Sequence, residues 1–113
     1  MLKAVMVISQ ENFRDEELFE TKRALEEEGI EIKVASTTLN PAKGKLGGVI
    51  KPDILFKDIN MDRFDSLIFI GGAGCVVYWD DPLAHKLLHD SVSGGKITAA
   101  YPGSYFSSGN RIM

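Results

Sequence analysis

Two kinds of hydrophobic pattern alternate along the chain. Ala4-Val5-Met6-Val7-Ile8 and Leu67-Ile68-Phe69-Ile70 are solid apolar runs, the signature of strands covered on both faces rather than one. Ser9-Gln10 end the first run. From Asp15 the period lengthens: Leu18, Thr21, Ala24 and Leu25 fall on one helical face opposite Glu20, Arg23 and Glu27, and Gly29 suits the position just past a helix end. Ile30-Glu31-Ile32-Lys33-Val34-Ala35 then alternates, which predicts a second strand nearer a sheet edge because one of its faces is charged. These pieces complete a βαβ unit.

Between Ser36 and Ile59 the breakers Asn40-Pro41, Gly44, Gly47-Gly48 and Pro52 predict a loop with a small hairpin, carrying short extended pieces at Leu46 to Lys51 and Ile54 to Phe56. The run from Phe64 to Ile70 is the next strand, and it empties into Gly71-Gly72-Ala73-Gly74. Asp81 is placed to cap a second helix that has Pro82 in its first turn. Leu83, Ala84, Leu87, Leu88 and Val92 would form its buried stripe, and Gly94-Gly95 would end it. Ile97-Thr98-Ala99-Ala100 supplies a fourth strand.

The expected fold is therefore α/β: a doubly wound, mostly parallel, flavodoxin-like sheet flanked by helices, incomplete after its fourth strand. A parallel crossover takes about a dozen residues before the next strand can start. Tyr101 to Met113, with Pro102, Gly103, Gly109 and several serines, holds no helical periodicity. We therefore expect one domain over 1–113, in which 1–100 is continuous and 101–113 consists of later segments that follow residues not present in this sequence.

Composition narrows the partners. The chain of 113 residues carries a net charge of -3 with scattered basic residues, so nucleic acid is not an expected partner. No stretch approaches the roughly 18 to 20 apolar residues of a membrane span, and a cytoplasmic location is expected. The single cysteine, Cys75, allows neither an intramolecular disulfide nor a multi-cysteine zinc site.

Candidate chemistry concentrates after the third strand. Gly71, Gly72 and Gly74 let backbone approach a ligand at the carboxyl end of a strand, where open α/β sheets bind their ligands; the same residues also suit a plain tight turn. Asp15, Glu16 and Glu17 sit in the first turn of the first helix, where the helix dipole alone favours acids. Cys75 has no basic neighbour in sequence that would activate a thiol and reads as a loop or interface residue. His85 and His89, four apart, could share a helical face toward a metal, but no third ligand accompanies them; they read as polar-face residues. Neither Ser104 nor Ser108 lies in a Gly-x-Ser-x-Gly elbow. A receiver domain would need an acid where Gly71 stands, and Ser9-Gln10-Glu11-Asn12-Phe13 has no glycine for a flavin phosphate loop.

The segments Phe13-Arg14-Asp15-Glu16-Glu17-Leu18 through Glu28-Gly29, the strand ending in Gly71-Gly72, and Gly95-Lys96-Ile97-Thr98-Ala99-Ala100 resemble the ThiJ/PfpI superfamily, related in fold to glutamine amidotransferase domains. The resemblance runs nearly continuously from Leu2 to Ala100. It implies a homodimer or larger homo-oligomer acting on a small-molecule or peptide substrate, without cofactor or metal. Glu17 matches the helix-borne acid that hydrogen-bonds a nucleophilic cysteine in this superfamily, and Gly72 matches the glycine whose N–H helps form an oxyanion hole. The motif departs at its centre: where a cysteine elbow should follow the fourth strand, Ala100 is followed by Tyr101-Pro102. The nucleophilic cysteine is not present in this sequence. A peptidase-branch acid expected soon after Gly-Gly is also replaced, with Val76 in that region. What the resemblance implies is a cysteine-dependent hydrolase or a small-carbonyl-processing protein of glyoxalase or deglycase type. The alternative is a non-catalytic, stress-response or chaperone-like homo-oligomeric binding protein of the same fold.

Overall fold

The computed structural model describes residues 2–71 and 81–100, with side chains as far as residue 96. Among the described residues, five parallel strands form the main sheet. Lys3–Val7 (β1) lies at its centre between Glu31–Ser36 (β3) and Ser66–Phe69 (β7), with Ile54–Leu55 (β6) outside β3 and Ile97–Ala100 (β8) outside β7. Val5 faces Lys33 on one neighbour and Leu67 on the other, and Phe69 is level with Ala100.

The solid apolar run of β1 is explained by what covers it. On one face Val5, Val7, Ala35, Leu67 and Phe69 pack against Phe56, Met61, Phe64 and the helix Pro82–Ser93 (α2) through Ala84, Leu87 and Leu88. On the other face Ala4, Met6, Ile8, Ile32, Val34, Ile68 and Ile70 pack against Phe13, Ala42 and Leu18 of the helix Asp15–Glu27 (α1). A strand sealed on both sides has no use for alternation. β3 alternates because Lys33 and Glu31 remain half-buried between Ile32 and Val34. It is one strand in from the edge, where the two-residue β6 sits.

The helix ends follow their chemistry. Asp81 caps α2, its Oδ1 accepting from Leu83 N–H at 2.8 Å, and Gly29 follows α1 with φ +83°, a conformation that glycine adopts without a Cβ penalty. Two expected stripe positions are corrected. Val92 is 65% exposed while Ser91 is buried: the inward stripe of α2 is Ala84, Leu87, Leu88 and Ser91, a spacing of three, four and seven that leaves Val92 about 100° round the helix. Ala24 of α1 is likewise exposed.

The hairpin here belongs to a second small sheet and differs from the expected pieces: its first arm precedes Leu46, and Ile54–Leu55 joins the main sheet instead. Ala42–Gly44 (β4) pairs antiparallel with Val49–Ile50 (β5) and parallel with Glu11–Phe13 (β2). β2 has a register shift at Asn12, whose φ is +62°; asparagine is among the few residues that visit this region readily. That kink sends Phe13 fully into the core just before α1 begins.

Candidate active site

The two crossovers fix where a ligand can enter. The chain leaves β1 through α1 toward β3 and leaves β7 through α2 toward β8, so neighbouring β1 and β7 send their connections to opposite faces. Such a switch point opens a crevice at the carboxyl ends of those two strands. α1 starts there, and with it the acidic turn Asp15-Glu16-Glu17.

Three residues close a ring of contacts across this crevice. The Arg14 N–H donates to Gly71 O at 2.9 Å, tying the helix cap to the end of β7. Gly71 N–H in turn points to Glu17 Oε1 at 3.4 Å, a long hydrogen bond. Arg14 Nε reaches Glu17 Oε2 at 3.2 Å. The Glu17 side chain is only 14% exposed, against 48% for Arg14. Burial pushes the Glu17 carboxyl above its usual range; Gly71 N–H and the Arg14 guanidinium pull it back in part, while Glu16 beside it adds to the rise. A carboxyl group so held can receive and return a proton nearer neutrality than an exposed glutamate.

Asp15, two residues earlier, faces a different task. It is buried, with Oδ1 accepting from Leu46 N–H at 2.8 Å and Oδ2 from Gly48 N–H at 2.7 Å. Burial acts to raise its carboxyl, but these two donors and its own N–H together hold it below its ordinary 3.8. The carboxylate lies so close to the hairpin that a Cβ at Gly44 or Gly48 would collide with it. Asp15 therefore fastens the small sheet to the mouth of the crevice. On sequence it is one of three equivalent dipole-favoured acids; the structure separates them, and the Gly44 and Gly48 pair opposite was the available signal.

Of the sequence-derived candidates, Glu17 is brought to the crevice beside Gly71. Gly72, Cys75, Val76, Ser104, Ser108 and the Ala100–Tyr101 junction lie wholly or partly outside the described residues. His85 and His89 sit on α2, His89 exposed with Nε2 3.4 Å from Ser93 Oγ, and among the described residues no three His, Cys, Asp or Glu side chains gather to hold a metal ion. Among those residues, too, no helix is long and apolar enough to cross a membrane. A surface cleft of about 440 Å³ at the opposite, amino end of the sheet is bordered by Lys3, Glu31 and Phe64 and does not include Glu17.

The chain is also similar to known proteins. The DJ-1/PfpI family matches residues 3–103. A ThiJ/PfpI domain protein from Brachyspira murdochii superposes with a TM-score of 0.87 at 38% identity, over 90% of this chain and 59% of that one. The glutathione-independent glyoxalase DJR-1.2 of Caenorhabditis elegans is 32% identical over 101 residues, 88% of this chain and 54% of the relative. A deglycase of Pyrococcus furiosus, PfpI, is 37% identical over 68 residues, 60% of this chain and 41% of the relative. The chain spans about half the length of the curated relatives it matches.

Proposed function

The chain belongs to the DJ-1/PfpI family, and from that premise we propose that it carries the acid half of a cysteine-dependent site for small carbonyl compounds, of the glyoxalase or deglycase type. Glu17 is the acid partner of the nucleophile. The thiol itself comes from a segment that follows β8 and is not present in this sequence, with 101–113 consisting of later pieces. The observation that carries this reading is the mostly buried Glu17 carboxyl held at the β1/β7 switch point against Gly71 N–H.

The chemistry is consistent with these groups. The thiol passes its proton to the Glu17 carboxylate as sulfur bonds to the substrate's carbonyl carbon. The carbonyl π-electrons move onto oxygen, where backbone N–H donors stabilise the developing charge. The ThiJ/PfpI resemblance implies that the Gly72 N–H serves as the oxyanion donor. Glu17 then returns the proton. Relatives named glyoxalase and deglycase favour a small oxoaldehyde or its adduct over a peptide as substrate; a cytoplasmic homodimer or larger homo-oligomer is the assembly the ThiJ/PfpI resemblance implies.

Two measurements test the proposal. The intact mass of the protein purified from its source sizes the chain: a mass equal to the 113 residues would leave Cys75 as sole thiol and remove the proposed nucleophile. In a longer chain, Glu17→Ala should slow alkylation of the reactive cysteine at least tenfold and move its pH profile. Unchanged rate and profile would leave the non-catalytic, homo-oligomeric binding reading in place.

A further inference from the structure

The ring that joins Arg14, Glu17 and Gly71 contains one residue to which the resemblance assigned nothing. Arg14 contributes twice. Its backbone fixes Gly71 by donating to that residue's carbonyl at 2.9 Å, and its side chain meets Glu17 Oε2 at 3.2 Å. The second contact leaves Oε1 free to face Gly71 N–H. No side-chain hydrogen bond caps α1 at Arg14, so its side chain is not consumed by the usual duty of that position. An ion pair at a spacing of three on an exposed helix surface would be worth little. Here one partner is 14% exposed, and the charge it faces is correspondingly less screened.

We propose that Arg14 is the positioning residue of this site: its guanidinium orients the Glu17 carboxylate toward Gly71 and keeps it charged until the thiol's proton arrives. The groups bearing on Glu17 are Arg14 at the cap, Glu16 beside it on α1, and Gly71 N–H from the end of β7. Of these only Arg14 carries a positive charge. Without it, burial and Glu16 act against a single long backbone hydrogen bond, and Glu17 is more often already protonated when the thiol's proton arrives.

This inference rests on the proposed role of Glu17, and its test reads Glu17 directly. Carbon-detected NMR of the side-chain carboxyls follows Glu17 through its titration in the wild-type protein and in Arg14→Gln and Arg14→Lys. Arg14→Gln should raise the proton affinity of Glu17 roughly two- to fivefold, the span of a partly screened ion pair. Arg14→Lys, which keeps the charge, should recover at least half of that change. The Gly71 amide should lose part of its pH-dependent shift only in Arg14→Gln. As a check that needs no variant, raising salt from 0.01 M to 1 M shortens the screening length from about 30 to about 3 Å and should raise the wild-type Glu17 midpoint. An unmoved midpoint in Arg14→Gln, equal shifts in both variants, or salt-independence of the wild type would overturn the inference. If Arg14 controls Glu17 as described while Glu17→Ala leaves thiol reactivity intact, the catalytic reading falls and the coupling stands.

Discussion

Replacing Asp15 by alanine isolates the fastening between α1 and the β4–β5 hairpin. The side chain accepts two backbone N–H groups at 2.8 and 2.7 Å, and hydrogen bonds to a charged acceptor contribute about 1.5–3 kcal/mol each. Water can reach this loop, since Leu46 is 74% exposed, so the low end of that range applies and the two bonds together are worth about 3 kcal/mol. A chain of this length converts each kcal/mol into roughly 3 to 6 °C, giving an expected fall in Tm of roughly 9 to 18 °C near pH 7. Domains of this kind have about 5–15 kcal/mol in hand, so the variant should still fold. The sign with pH is set by the lowered carboxyl. Its contribution is fully present above the ordinary value of 3.8 and is lost as pH falls through the lower folded value. Thermal unfolding followed by circular dichroism, run near pH 7 and at stepwise lower pH, should show wild type and Asp15→Ala converging in acid. Amide exchange should lose protection at Leu46 and Gly48 in the variant. A fall in Tm under about 2 °C with both amides still protected would refute the argument.

Two further expectations use the same turn. Gly44→Ala places a methyl group against the Asp15 carboxylate and should cost about 1–3 kcal/mol, but in an Asp15→Ala background most of that cost should vanish; an additive double-mutant cycle by denaturant unfolding would contradict the contact. Glu17→Gln should behave oppositely to Asp15→Ala: because the folded carboxyl lies above its ordinary 4.5, native Glu17 detracts from stability as pH rises through that window, so the glutamine variant should unfold at higher temperature near pH 7 and show no gain below 4.5.

The main sheet was legible because both central strands are solid apolar runs and the helices between them carry caps and terminal glycines. What escaped was decided by contacts remote in sequence. β2 is three residues with one inward side chain, Phe13, too short for a period of two to register. β4 was hidden by Pro41 and Gly44, which read as breakers although Gly44 is small because Asp15 presses on it. Within the site, the ThiJ/PfpI resemblance brought Glu17 forward, and its meeting with the Gly71 end of β7 follows from strand order. The duty of Asp15 left only the Gly44 and Gly48 pair as a trace, because its partners Leu46 and Gly48 stand 31 and 33 positions away, and that of Arg14 depends on Gly71, remote in sequence, as well as on its neighbour Glu17.

The first turn of α1 thus holds two carboxylates that neighbouring atoms drive in opposite directions. Asp15 has more donors than its burial can offset and stays ionised as a structural clasp; Glu17 has one long backbone donor and one arginine against its burial and is biased toward holding a proton. Environments that separate the proton affinities of nearby acids are how one site assigns distinct roles to like groups. The assignment is also mechanical, because the clasp at Asp15 fixes the helix turn from which Glu17 projects. Slack in the hairpin would therefore reach the Arg14–Glu17–Gly71 ring before it reached the sheet, and a variant that loosens Asp15 should broaden the Glu17 titration even while β1 and β7 remain paired.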